Sequence, residues 1–321
     1  MTNEKFLALE QTIQQKYGNT AGLAVAKKGE LVYETYFNGC SENSFIHVFS
    51  VTKSVISALM GIALKQGLIK SLDQPVVEFF PEYQVKDKRV EDITLRHLLT
   101  MTAPYKHQEN PYPSYFTSAD WVEFSLDMLG GDGQLGEFEY APLIGPDILS
   151  GILEKATGQS VLDFARTHLF DPMAISVEGP ITFRDQQEQM AFYQSTTTSG
   201  WVAGPNGVNT AGWGLTLTTK DLLKIGQLYL AGGIWQGQQL IPKEWISEST
   251  QAHSCWQEMN LDYGYLWWVL GDGSFAALGD GGNTLYVNPQ NQLVVAISGL
   301  FVPESEDRIG LIKTEIEPLF W

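Results

Sequence analysis

FSVTKSVISALMGIALKQGLI, residues 49–69, sets a serine and a lysine three residues apart at the head of an apolar run. Its apolar residues fall nearly all round a helical wheel, so the stretch predicts a helix buried on every side. Ser50 and Lys53 then share the first turn of that helix and one of its faces. The spacing alone is weak, because one S-x-x-K per few hundred residues arises by chance. The setting says more. A lysine opening a buried helix sits at the positive end of the helix dipole and away from water, and both effects favour the neutral, basic amine. Free backbone N–H groups at the same terminus suit a developing oxyanion. A hydroxyl beside such an amine can become nucleophilic at neutral pH. The plainer alternative is a lysine snorkelling out from the helix end.

Working outward, AGLAVAKKGELVYETYFNG (21–39) alternates like two strands joined around Lys28-Gly29. Ahead of it, Phe6, Leu9, Ile13 and Tyr17 recur at helical spacing. From about residue 50 to 250 the pattern is mostly helical, broken by Gly/Pro loops. It includes TLRHLLTM (94–101), SADWVEFSLDML (118–129) with Ser118 as the expected N-cap, and GPDILSGILEKATGQS (145–160) with Pro146 near its first turn and Gly158 as C-cap. TTKDLLKIGQLYLAGG (218–233) follows. The strand period returns in YGYLWWVL (263–270), SFAALGDGG (274–282), NTLYVNP (283–289) and QLVVAISGLF (292–301), before a closing helix, EDRIGLIKTEIEPLF (306–320). Strands at both ends with helices between predict an α+β fold. One antiparallel sheet would be shared by the termini and flanked by terminal helices, with a mostly helical lobe inserted. The expected division of the single catalytic domain, 1–321, is a sheet lobe of 1–48 with 255–321 and a helical lobe of 49–254.

The chain has 321 residues, 44% apolar and 18% charged, ordinary values for a globular protein with a sizeable core. A formal charge of −17 argues against nucleic acid and anionic membrane surfaces, which both call for basic patches. No stretch reaches the roughly 18 unbroken apolar residues of a membrane span. The N-terminus lacks the basic start and apolar middle of a secretory signal, so the expectation is a cytoplasmic protein. Cys40 and Cys255 imply no disulfide framework.

Several motifs point elsewhere and fail on context. GDGQLG (131–136) matches G-x-G-x-x-G but lacks a strand before it and a helix after it. Lys313-Thr314-Glu315 lacks the glycine of a K-T-G box and lies on an amphipathic helix. His47, His97, His107, His168 and His253 have no metal-ligand spacing, and His97, beside two leucines, reads as a core or interface histidine. Cys255 near His253 reads as a free thiol. No G-x-S-x-G elbow occurs. Neither a metal nor a cofactor is expected.

FSVTKSVISALMGIALKQGLIKSLDQPVVEFFPEY followed by ITLRHLLTMTAPY resembles the penicillin-recognising serine hydrolases, the family of class C beta-lactamases, DD-peptidases and related esterases and amidases. GEFEYAPLIGPDILSGILEKATGQSVLDFARTHLFDPMAI looks like the family's second box and the helix after it. NTAGWGLTLTTKDLLKIGQLYLAGGIWQGQQLIPKEWI looks like its glycine-rich segment, and YGYLWWV with FAALGDGGNTLYVNPQNQLVVAIS like the strands around its third box. The similarity runs through nearly the whole chain in the family's order. YGYLWW with GDGGN is most like the branch of aminohexanoate-oligomer hydrolases and carboxylesterases.

The resemblance implies a beta-lactamase/transpeptidase-like fold and an acyl-enzyme mechanism. Ser50 matches the acylated nucleophile, Lys53 its lysine partner and Tyr140 the tyrosine of Y-x-N, which would shuttle protons. A phenol can act as a base there only if nearby positive charge favours its anion. The backbone N–H groups of Ser50 and Asn283 match the oxyanion hole. Two boxes depart from the pattern. Pro142 stands where the family often has asparagine or serine. Asp280 stands where beta-lactamases have lysine and many esterases histidine, a charge reversal that disfavours a beta-lactam carboxylate.

The expected substrate is therefore a small uncharged or cationic ester or amide, with poor beta-lactam turnover. Asp280, Gly281, Gly282, Tyr105, Tyr112 and Tyr115 are the candidate substrate contacts, together with Phe116 of the aromatic segment KHQENPYPSYF (106–116). Trp213, Trp267 and Trp268 read as structural. The competing reading is a catalytically idle relative that binds a ligand or partner in the inherited cleft. Oligomeric state is left open.

Overall fold

A computed structural model describes residues 3–106, 110–141 and 143–321; His107 and Pro142, singled out above, lie outside the described residues. Eight strands form the main sheet: β1 Thr20–Lys27, β2 Glu30–Tyr36, β3 Ser254–Trp256, β4 Leu261–Tyr263, β5 Trp268–Val269, β6 Phe275–Gly279, β7 Asn283–Asn288 and β8 Leu293–Gly299. Their order is β2-β1-β8-β7-β6-β5-β4-β3, with every neighbour antiparallel. The two ends of the chain therefore meet where β1 pairs β8, as the alternating end segments predicted.

Period-two alternation sorts the strand residues into two layers. Ala24 and Ala26 of β1, Leu285 and Val287 of β7, and Val294 and Ala296 of β8 face the helical lobe. Leu23, Val25, Tyr286, Val295 and Ile297 face the other way. That outer layer is covered by α1 (Asn3–Lys16) through Leu9 and Ile13, and by the C-terminal helix. The latter opens as α11, Arg308–Leu311, and continues in tighter and wider turns to Phe320.

The inserted lobe contains α2 (Val51–Lys65), α3 (Leu95–Leu99), α4 (Tyr112–Thr117), α5 (Trp121–Met128), α6 (Asp147–Thr157), α7 (Val161–Ala165), α8 (Gln186–Gln194), α9 (Thr219–Leu230) and α10 (Lys243–Ser249). α2 is the axle: every residue from Val51 to Ala63 is buried. It runs between the sheet and the surrounding helices, which is why its sequence is apolar all round. α9 closes on the sheet at Gly226, where an added Cβ would stand 2.5 Å from Val294 Cγ1 and 2.7 Å from Leu285 Cδ1.

Three local expectations change. α5 is capped by Asp120, whose carboxylate accepts the N–H groups of Val122 and Glu123; Ser118 instead ends α4 and accepts from Asp120 N. The carboxylate gives a charge-assisted bond at the positive helix end, which a hydroxyl cannot match. YGYLWWVL is not one strand. Tyr263 ends β4, Trp268 begins β5, and Leu266 takes a left-handed backbone (φ 61°) so that its N–H reaches the Leu99 carbonyl at 3.0 Å. The aromatic segment after residue 110 is not wholly a loop, since 112–117 form α4. Among the described residues no helix is long and apolar enough to cross a membrane, and no group of His, Cys, Asp or Glu could hold a metal ion.

Gly226→Ala is expected to destabilise the protein by about 1–3 kcal/mol through overpacking of α9 against the sheet, read as a lower urea midpoint with an unchanged slope.

Candidate active site

The helix that organises the core also opens the candidate site. Phe49, immediately before α2, adopts a left-handed backbone (φ 47°) that turns the chain from the short strand Ile46–His47 into the helix. Its ring is braced by His47 at 3.8 Å, Phe301 at 5.2 Å and Tyr193 at 5.4 Å between centroids. Ser50 occupies the N-cap position but makes no side-chain capping bond. Its hydroxyl is turned to Lys53 instead, whose Nζ lies 2.7 Å from Ser50 Oγ. Lys53 does not snorkel. It is 1% exposed, and Nζ donates to the Gly212 carbonyl at 3.0 Å.

Burial drives the Lys53 amine from the ordinary lysine value of 10.5 down to about 7, against the opposing fields of Asp280 and Asp147. The third expected member arrives from the far side of the cleft. The Tyr140 ring centroid is 5.2 Å from Lys53 Nζ, and the nearby Ser50 hydroxyl favours its phenolate. Trp268 packs on that ring at 5.4 Å. Burial pushes the phenol up to about 12, and Asp280 and Tyr112 add to the rise. The phenolate expected as a base is thus disfavoured at neutral pH; the environment keeps Tyr140 protonated and Lys53 the stronger candidate base.

The Ser50 N–H donates to no acceptor among the described residues. Beside it runs Gly279, where an added Cβ would meet the Val48 carbonyl oxygen at 2.3 Å and come 3.2 Å from Ser50 N. The third box is therefore pressed against the head of α2. Asn283 begins β7, and its buried side chain clamps this junction. Nδ2 donates to the Asp280 carbonyl at 2.7 Å and the His47 carbonyl at 3.2 Å, while Oδ1 accepts from Gly299 N at 3.1 Å.

Asp280 itself is exposed, and its charge raises the proton affinity of Lys53, Tyr112, Tyr140 and Tyr193 together. Its carboxylate therefore bears on the cleft, and among the described residues it has no ion-pair partner.

The other candidate contacts divide. Tyr105 and Tyr112 line a hollow of about 160 Å³ alongside Tyr140, with Met128, Ala141 and Ile144. Tyr115 cannot touch a substrate: it is 0% exposed, packed on Trp121, with its hydroxyl donated to Asp147. Phe116 packs edge-on against Trp121 and Trp213. Gly281 and Gly282 are buried as well. Their positive φ values (74° and 80°) shape the turn between β6 and β7. Trp213, Trp267 and Trp268 are all buried core aromatics.

His97 serves the capping box of α3, and His253 stacks on Tyr265. A larger cavity of about 830 Å³ lies at the other end of α6, around Phe80, Leu126 and Glu154, and contains none of the residues above. Sequence reading missed Gly279, whose glycine carries no motif weight, and Asp147, which reads as a first-turn helix acid. It also missed the Gly212 carbonyl, which no side chain announces.

Residues 9–308 match the beta-lactamase family. The 6-aminohexanoate-dimer hydrolase of Paenarthrobacter ureafaciens is 25% identical, over 94% of this chain and 78% of its own length. A penicillin-binding protein homolog from Caulobacter crescentus superposes with a TM-score of 0.74 at 16% identity, covering 100% of this chain and 99% of that one. A D-stereospecific amidohydrolase from Streptomyces gives 0.71 at 15% identity, covering 97% and 98%. The fold is beta-lactamase/transpeptidase-like.

The depressed Lys53 value has a consequence for stability. Between about pH 7 and 10.5 the unfolded chain binds a proton at this lysine that the folded protein does not, so stability rises with pH across that window. Lys53→Met removes this dependence. From pH 7 to pH 9, wild type is expected to gain about 2 kcal/mol relative to the variant in paired urea titrations.

Proposed function

This chain belongs to the beta-lactamase family and is an enzyme of the serine-hydrolase kind, and we propose that it works through an acyl-enzyme on Ser50, with small uncharged or cationic esters or amides as substrates. The observation that carries the reading is the buried, neutral-leaning Lys53 amine 2.7 Å from the Ser50 hydroxyl. Lys53 takes the Ser50 proton as Oγ attacks the carbonyl carbon, and the carbonyl electron pair moves onto oxygen. The Ser50 N–H faces that oxygen, with the Asn283 N–H as its proposed partner.

On collapse, Tyr140 passes its proton to the departing alcohol or amine and recovers one from the Lys53 ammonium. Water then attacks the ester, giving its proton back through the same pair, and Ser50 is regenerated with release of the acid. Tyr140, held near 12, serves as a proton donor and relay, and Lys53 as the base. Two groups pushed apart in proton affinity can divide the acid and base roles in this way.

Asp280 supports the substrate half. A carboxylate bearing on Lys53, Tyr112 and Tyr140, with no ion-pair partner among the described residues, repels the carboxylate that beta-lactams and cell-wall peptides carry, and favours a neutral or ammonium-bearing group. The relative that hydrolyses a 6-aminohexanoate dimer and the solved amidohydrolase support a hydrolase acting on amide-type bonds.

The test is labelling with a fluorescent fluorophosphonate and a fluorescent penicillin, beside Ser50→Ala and Lys53→Ala. Ser50-dependent fluorophosphonate labelling is expected, rising with pH through about 7 as Lys53 loses its proton. Absence of labelling by both reagents would turn the reading to an idle, ligand-binding relative. Asp280→Asn removes a charge that holds the Lys53 proton on, so its labelling curve is expected to shift to lower pH, with a smaller preference for cationic over anionic esters. Nitrocefin turnover comparable with that of simple acyl esters would overturn the substrate assignment.

A further inference from the structure

One buried acid has no part in that scheme. Asp147 is the first residue of α6 and only 2% exposed, yet it carries a carboxyl group into the core of the helical lobe. Its Oδ1 accepts the Ala211 N–H at 2.8 Å, and Oδ2 accepts the hydroxyl of Tyr115, itself fully buried; the neighbouring Gly212 N–H also favours the charged carboxylate. The Gly212 carbonyl, on the same residue, receives the Lys53 amine. We infer that Asp147, oriented by Tyr115, is a positioning residue that fixes the Gly212 carbonyl beneath Lys53 and tunes the strength of that base. This rests on the reading of Ser50 and Lys53 as nucleophile and base.

Three considerations carry it. An isolated buried carboxylate is costly, and satisfying it with the Ala211 N–H and a phenol at a helix N-terminus is what keeps it in place. Such saturation makes the acid a rigid clamp on the segment 209–214. The same segment is held from its other side by His47, whose Nε2 accepts from Gly214 N at 2.9 Å, and by Trp201 Nε1 donating to the Thr210 carbonyl at 2.7 Å. Second, Asp147 opens the helix that follows the second box, seven residues after Tyr140, so its hold on Ala211 ties the segment behind Lys53 to a rigid element.

Third, Asp147 bears on Lys53 electrostatically. Among the described residues, the charges that face Lys53 are Asp280 across the cleft and Asp147 from α6, and the Tyr140 ring, Ser50 and the Gly212 carbonyl lie against it. Those that face Asp147 are Tyr115 and Lys53. Burial raises the Asp147 carboxyl to about 6 against the pull of its hydrogen-bond donors, and its negative charge favours the protonated form of Lys53.

The experiment compares fluorophosphonate acylation rates against pH for wild type, Asp147→Asn and Tyr115→Phe, each first checked for a cooperative melt. For Asp147→Asn the high-pH plateau is expected to fall about 10- to 100-fold from misplacement of the base, and the midpoint of the pH curve to move below the wild-type value. A purely structural acid would not move that midpoint. For Tyr115→Phe, which loosens the carboxylate without removing it, a plateau about 3- to 10-fold lower is expected.

A folded Asp147→Asn variant with the wild-type midpoint and plateau overturns the inference. If that variant does not fold, a Tyr115→Phe plateau equal to wild type overturns it instead, and a reduced one supports it. Failure of the underlying reading looks different: wild-type labelling would then be independent of Ser50 or flat with pH.

Discussion

An amine that is to act as a base near neutrality has to be kept from water, and the protein meets this constraint by burying Lys53 inside its central helix. Lowering a lysine from 10.5 to about 7 corresponds to about 5 kcal/mol spent against the charged form. The same helix buries Val51, Val55, Ile56, Leu59, Met60 and Ile62, together worth roughly 9–18 kcal/mol gross at the usual value per large side chain. Burial of the helix outweighs the discomfort of one polar group at its head. This is possible only because sheet and helical lobe close on α2 from all sides, so the architecture and the lowered proton affinity of Lys53 have one cause.

Charge placement then sets the working point. Burial pushes Lys53 down, while Asp280 and Asp147 pull it back up. Tyr140 is driven the opposite way by burial and by Asp280. The outcome is an amine and a phenol pushed apart in proton affinity beside one hydroxyl, the arrangement on which the proposed acyl-enzyme route draws. The two acids differ in kind. Asp280 is exposed, unpaired among the described residues and open to whatever enters the cleft; Asp147 is buried, saturated with donors and unable to meet a ligand. Reversing the charge of the third box therefore reshapes what can bind, whereas the acid behind the site acts on the machinery.

Much of this was readable from periodicity and spacing, because those features are local. The alternation of 21–39 and 283–301, the all-round apolarity of 51–63 and the i, i+3 step from Ser50 to Lys53 each depend on neighbours a few residues away. Gly158 as a C-cap held for the same reason. Where two local solutions competed, the reading slipped: Asp120 won the cap of α5 over Ser118 through its charge. YGYLWWVL broke at Leu266 because a backbone N–H was claimed by Leu99, more than 160 positions earlier. For Tyr115 and Phe116 the sequence left cleft lining and packing within the lobe equally open, and the structure packs them against Trp121.

The amino-acid order by itself determined the α+β layout, the buried helix and the pairing of a serine with a lysine on its first turn, since hydrophobic period and helical pitch are properties of a short segment. Only the tertiary structure decided that Tyr140 meets Lys53 across the cleft, that Asp280 bears on the site, and that Asp147 holds the Ala211 backbone beside the carbonyl that receives Lys53. Those pairs lie 64 to 227 positions apart in the chain, and they exist because burial of one helix forces distant segments to converge on its end.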